Sequence, residues 1–284
     1  MILKVLVLNK YRNVNLECSR VITFKYTRSF SFAISTFDRK TRNSIYALYS
    51  FLRYTDEIID SLNGFDQQLL FDEFKKDTYK AIERRISTNP ILDAFQSVVN
   101  EYQLDLGLID SFFSSMFMDL ETLNYDKNRY KKYIYGSAEV PGLLCLKIVS
   151  WPNIENYTKY SVTTQKVAAT FQKINFLRDL KEDTITNNRD YLYCLKNEGL
   201  FDQKSKCSIE KEITENLNLV APKLKNLPKH WKLGAFIAYN SYAYYFKKIK
   251  RKSPENLLDS TFSMSFLKKV FIFLISLSRI TLSV

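Results

Sequence analysis

The residues that punctuate a chain are scarce here, with six glycines and six prolines in 284 positions. Sandwiches and barrels need frequent turns, and α/β folds carry glycine-rich junctions between strand and helix. Both classes are disfavoured, and long helices are favoured. Histidine is nearly missing: His230 stands alone, between Lys229 and Trp231 and beside Pro228. A Ser-His-Asp triad would have to use it, and no GxSxG segment is present, so His230 reads as a structural residue at a helix start. The four cysteines, Cys18, Cys145, Cys194 and Cys207, lie far apart with no CxxC pair. This argues against zinc and for reduced thiols in a cytoplasmic protein.

Long apolar runs are lacking too. The C-terminal stretch from Phe266 to Val284 is interrupted by Lys268, Lys269 and Arg279, short of the ~20 continuous apolar residues of a spanning helix. It reads as a buried terminal helix or an interfacial one. Residues 1–8 are apolar but include Lys4 and are too short for a secretory core, so no signal peptide is expected.

Hydrophobic residues make up 46% of the chain and aromatic residues 15%, enough for a large core with rings left over to line an apolar pocket. The formal charge of +12 permits nucleic acid, an anionic membrane surface or a phosphorylated small substrate as partner. Nucleic acid is disfavoured, because the lysines are scattered and the KKIKRK run at 247–252 ends a helix, where cations suit the dipole. A basic rim holding the protein at an anionic membrane, on its cytoplasmic face, fits the charge better.

Apolar positions with period 3.6 predict helices over about 39–59, 65–85, 90–102, 106–123, 126–149, 155–183, 208–226, 230–250 and 263–281. Asn89-Pro90 is a cap followed by proline at the first helical position. Gly136, Pro141 and Gly142 predict a break inside the 126–149 helix, and the polar stretch 184–190 reads as a loop. No linker, low-complexity tract or repeat divides the chain, so residues 1–284 read as one domain.

Two segments carry chemistry. RYTDEIID puts Asp56 and Asp60 at i and i+4 on one helix face, with Arg53 one turn earlier and Tyr49 another turn before it. Stacked acids repel unless a cation compensates, and Mg²⁺ suits paired carboxylates that share it with substrate phosphates. Taken alone, such a pair is most simply a solvated face. The second segment, FQKINFLRDLKED, favours a metal site: Gln172, Asn175, Asp179 and Asp183 follow at spacings of three, four and four, with Arg178 and Glu182 alongside in an apolar helix. Two such stripes facing across a bundle would hold Mg²⁺ and let the arginines grip phosphate oxygens.

With these residues in view, the chain resembles the squalene and phytoene synthase family. The carriers are YTRSFSFA, YALYSFLRYTDEIID, YIYGSAEVPGLL and FQKINFLRDLKED, collinear from about Tyr26 to Lys250. The resemblance implies an all-α, single-domain isoprenoid-synthase bundle with a central apolar cavity. It implies metal ligation by Asp56, Asp60, Asn175, Asp179 and Asp183, and diphosphate binding by Tyr49, Arg53, Gln172, Arg178, Thr27 and Ser29. Tyr191 and Tyr242 would reach the pocket and Phe30 would form one of its walls.

The implied activity is a Mg²⁺-dependent prenyltransferase, with Mn²⁺ as a substitute. It would join two prenyl diphosphates head to head through a cyclopropylcarbinyl diphosphate, in contact with other carotenoid-pathway enzymes. The wording of NFLRD and YIYGSAEVPGLL tilts the substrate to geranylgeranyl diphosphate and the product to phytoene. The alternatives are squalene or dehydrosqualene formation from farnesyl diphosphate, the former needing NADPH, and a non-catalytic binding or assembly factor. Departures from the family pattern are Glu57 in the first motif, Glu139 and Pro141 in the central helix, and the divergent stretch 251–284.

Overall fold

The computed structural model describes residues 2–121, 124–187, 189–196 and 201–281, the side chains of 2–6, 28, 29, 194 and 281 excepted. The described chain is all-α. Its helices are α1 (Ile2–Tyr26), α2 (Arg28–Ile34), α3 (Arg39–Asp60), α4 (Gln67–Arg84), α5 (Pro90–Tyr102), α6 (Leu106–Glu121), α7 (Lys127–Ile134), α8 (Val140–Ser150), α9 (Ile154–Arg178), α10 (Gln203–Val220), α11 (Lys229–Ile249), α12 (Pro254–Leu258) and α13 (Phe266–Thr281). Two π-helical turns, Tyr135–Glu139 and Glu182–Thr186, interrupt them.

Helix α3 lies at the centre, touching α1, α5, α6 and α8. Its start is fixed by Asp38, whose carboxylate accepts from the backbone N–H groups of Lys40 and Thr41. This satisfies donors that a helix N-terminus leaves open. Phe51 is fully buried; its ring stacks on Phe95 at 3.7 Å and meets Phe113 edge-on at 5.7 Å. The apolar stripe predicted for this helix thus faces the core, and Tyr49, Arg53, Asp56 and Asp60 lie off it.

The sequence pattern does not announce α1, because its inner seam is polar. Asn15, Ser19 and Thr23 recur every four residues and are all buried. Asn15 donates to Asp93 of α5 at 2.8 Å, and Thr23 donates to the Ser19 carbonyl at 2.9 Å. Small hydroxyls that bond the carbonyls one turn back, and an amide that bonds Asp93, let α1 lie close to α3 and α5 without an apolar stripe.

The break expected in the 126–149 helix is a bulge. The π-helical turn Tyr135–Glu139 takes up the extra residue, closed by the Val140 N–H on the Tyr135 carbonyl, and runs directly into α8 with Pro141 in its first turn. Gly136 serves close approach: a Cβ there would come within 2.4 Å of the Ser111 carbonyl oxygen and 2.6 Å of the Ser115 hydroxyl on α6.

Candidate active site

The helix predicted to run through residue 183 ends at Arg178, and Asp179 caps it with φ −101° and ψ 9°. Arg178 folds onto its neighbour, donating from Nε to Asp179 Oδ1 at 2.8 Å and from Nη2 to Oδ2 at 2.5 Å. Asp183 then sits in the second π-helical turn, its N–H donating to the Asp179 carbonyl at 3.0 Å. The four oxygen donors therefore do not share one α-helical stripe. Part of the expected 184–190 loop is this π turn.

On α3, Arg53 donates to Asp56 at 2.6 Å and also to Glu57, with its guanidinium 4.6 Å from the Tyr26 ring centre. Asp60 is paired with Arg189, which lies beyond the π turn and also donates to the Ile59 carbonyl at 3.3 Å. Burial, and then the charge of Asp60, push the Asp56 carboxyl above the usual carboxylate range. Asp183 is pushed up to about 8, first by burial and then by Asp179, Asp60 and Asp119. The acids of α3 and of the segment after α9 are thus within electrostatic reach of each other across the bundle.

Sequence reasoning missed two members of this group. Asp119, near the end of α6, accepts from the hydroxyls of Tyr133 at 2.8 Å, Tyr191 at 2.9 Å and Tyr125 at 2.5 Å. Burial pushes it up to about 6 against the pull of Arg189 and the three tyrosines. The one hint was an acid following the apolar run FFSSMFM of α6. Arg189 had no local hint, because its partner is 129 positions away.

The remaining candidates fall as follows. Asn175 donates to Gln172 at 3.2 Å, while its own Oδ1 is buried without a hydrogen-bond partner. Thr27 caps α2, its hydroxyl accepting from the Phe30 N–H at 3.2 Å. The Ser29 side chain lies outside the described residues. Phe30 tilts against Tyr49 at 5.7 Å, and Tyr242 of α11 stacks on Phe171 of α9 at 3.8 Å. Tyr49 is half-buried and pushed up to about 12 by burial, with Arg53, Asp56 and Tyr242 nearby. Tyr191 is buried, its ring stacked on Phe176 at 4.7 Å and its hydroxyl turned to Asp119. Aromatic faces from α2, α3, α9 and α11 therefore stand beside the acids. His230 lies exposed at the start of α11.

Among the described residues no three Asp, Glu, His or Cys side chains converge on one point, and Asp56, Asp60 and Asp179 are turned to arginines instead. The donor set nevertheless fits a hard divalent cation. All its atoms are oxygens, the Asn175 Oδ1 lacks a partner, and burial with neighbouring like charge pushes Asp56 and Asp183 up, a repulsion that a cation would relieve.

The helical bundle sets acid and arginine pairs beside aromatic rings, groups able to hold a phosphorylated substrate with an apolar body. Residues 24–193 match the model of the squalene/phytoene synthase family, and the chain belongs to that family of prenyltransferases. It is 25% identical over 183 residues to the 4,4'-diapophytoene synthase of Staphylococcus haemolyticus (62% of this chain, 61% of the relative). It is 29% identical over 188 residues to the 15-cis-phytoene synthase of Pantoea ananas (61% and 59%). The matches thus span about three fifths of these relatives' length. In fold, the chain superimposes on a dehydrosqualene synthase crystallised with ligand at TM-score 0.76, with 18% identity over 96% of this chain and 98% of the other. The squalene synthase HpnC of Alicyclobacillus acidocaldarius gives 0.71, with 17% identity over 84% and 94%.

Proposed function

We propose that this chain condenses two molecules of geranylgeranyl diphosphate head to head, through a cyclopropylcarbinyl diphosphate, to phytoene. The observation that carries this reading is the set of three arginines, Arg53, Arg178 and Arg189, each held on an acid of the two motifs beside aromatic faces. An arginine already aimed at a carboxylate can exchange it for a diphosphate oxygen at little cost in order. Mg²⁺ bound by Asp56, Asp60, Asn175, Asp179 and Asp183, or Mn²⁺ in its place, would supply Lewis-acid stabilisation of the leaving diphosphate.

The chain's own side chains would do the rest. Tyr49, Gln172 and Thr27 would orient diphosphate oxygens with the arginines. The faces of Phe30, Phe171 and Tyr242 would stabilise allylic positive charge and keep water from it. The Tyr191 hydroxyl, its proton turned to Asp119, would offer the negative end of a fixed dipole to allylic positive charge.

The relative from Pantoea ananas supports the geranylgeranyl substrate; the diapophytoene synthase relative keeps farnesyl diphosphate as the competing one. Product analysis by mass spectrometry decides, with each diphosphate offered alongside Mg²⁺ and with or without NADPH. Phytoene from geranylgeranyl diphosphate, indifferent to NADPH, is expected. Hydrocarbon from farnesyl diphosphate alone would overturn the chain length. No hydrocarbon from either, where a control synthase works, would leave a binding or assembly factor.

A further inference from the structure

Helix α13 has one face fastened to the bundle. Ile272 and Ser276 are buried, the Ser276 hydroxyl accepts from Asn240 of α11 at 2.9 Å, and Phe273 meets Phe32 of α2 edge-on at 5.2 Å. The opposite face turns a continuous apolar stripe outward. Phe266, Leu267, Val270, Phe271, Leu274 and Leu277 follow at helical spacing, with exposures from 38% at Val270 to 79% at Leu267. Single exposed apolar residues are ordinary, but six on one helix face form a patch of the kind that marks an interaction surface.

The surroundings of this stripe are basic. Lys268 and Lys269 flank its N-terminal end, and Lys268 Nζ lies 4.6 Å from the Phe271 ring centre and 5.0 Å from that of Tyr244. The same end abuts the close of α11, where Lys248 donates to the Ser263 carbonyl at 3.2 Å. Lys247, Lys250, Arg251 and Lys252 are exposed there, against Glu255 and Asp259 as the acids of the connecting segment. No described helix is long and apolar enough to cross a membrane.

We propose that the outward face of α13 docks on an anionic lipid bilayer, the apolar stripe sinking to the headgroup boundary while the lysines meet lipid phosphates and carboxylates. Charge complementarity selects this occupant. A helix with apolar residues on one face and lysines at its edges lies in the interface, and basic residues beside it are drawn to the negative surface potential. A second copy is disfavoured, because each chain brings a formal +12 to the contact. The docked face would also lie one helix away from α2, which carries Phe30.

The test is vesicle co-sedimentation of the full chain without substrate, so that its failure and failure of the proposed reaction are separate results. Vesicles of phosphatidylcholine with phosphatidylserine should bind at least about tenfold tighter than phosphatidylcholine alone, and binding should weaken as salt rises. Leu267→Ser/Leu274→Ser should weaken binding by about tenfold or more, with the helical circular dichroism unchanged, since both side chains face solvent. Lys250→Glu/Lys252→Glu should remove most of the preference for anionic lipid. Three results would overturn the proposal: no binding to anionic vesicles, equal binding by the leucine variant, or a dimer in light scattering that the leucine variant dissolves.

Discussion

Arg189 reaches back across the bundle to Asp60, donating to its carboxylate and, at 3.3 Å, to the Ile59 carbonyl at the end of α3. It joins the segment after α9 to the first acidic motif, and its guanidinium also lowers the proton affinity of Asp119. Arg189→Ala should destabilise the protein by about 1–3 kcal/mol, because a partly buried carboxylate loses its donor. Denaturant midpoints measure this; Arg189→Lys should recover part of it. A midpoint unchanged in Arg189→Ala would mean that the pair has no structural weight.

The proposed ligands give a sharper expectation. Asp56→Ala and Asp179→Ala should each cut hydrocarbon formation by roughly 10³-fold or more, while the far-ultraviolet circular dichroism stays that of the parent. Retained turnover in both variants would refute the ligand assignment.

Cation binding can be read without turnover. Mg²⁺ with inorganic pyrophosphate should raise the melting temperature by on the order of a few °C at saturating concentrations. Asn175→Ala should lose most of that shift, since the buried Oδ1 without a partner is the atom best placed to gain one. If Asn175→Ala keeps the whole shift, Asn175 is no ligand.

Asp119 makes a prediction about pH. Its folded-state value of about 6 lies above the ordinary 3.8, so between those values the folded chain holds a proton that the unfolded chain has lost. Stability from this group is therefore greatest at low pH and is lost as pH rises from about 4 through about 6, by at most about 3 kcal/mol. Asp119→Asn keeps an accepting oxygen without the charge, so its melting temperature relative to the parent should climb across that window. A constant difference would rule this out.

Gly136 of the π turn packs closely against α6. Gly136→Ala would set a methyl 2.4 Å from a backbone oxygen, and a forced shift of this kind costs about 1–3 kcal/mol. Urea unfolding should show it as a lower midpoint with an unchanged slope.

Local periodicity made much of this protein legible in one dimension. The stripe of α3, the Asn89-Pro90 start of α5 and the i,i+4 placement of Asp56 and Asp60 depend only on neighbours within a turn, so residue spacing suffices to predict them. The resemblance carried by the four motifs adds the reaction class, and the match over residues 24–193 agrees with it.

Other features exist only because distant segments meet. The polar seam of α1 has no apolar period to reveal it, since Asn15 finds its partner in Asp93 of α5. The end of α9 at Arg178, where Asp179 leaves helical geometry and pairs with the arginine before it, is a local departure that helical spacing does not encode. Asp119 and Arg189 enter the candidate site through contacts with Tyr191 and Asp60 that span the bundle. A hydrogen bond or ion pair between residues far apart in sequence leaves no periodic trace, so only the tertiary structure decides which acid meets which arginine.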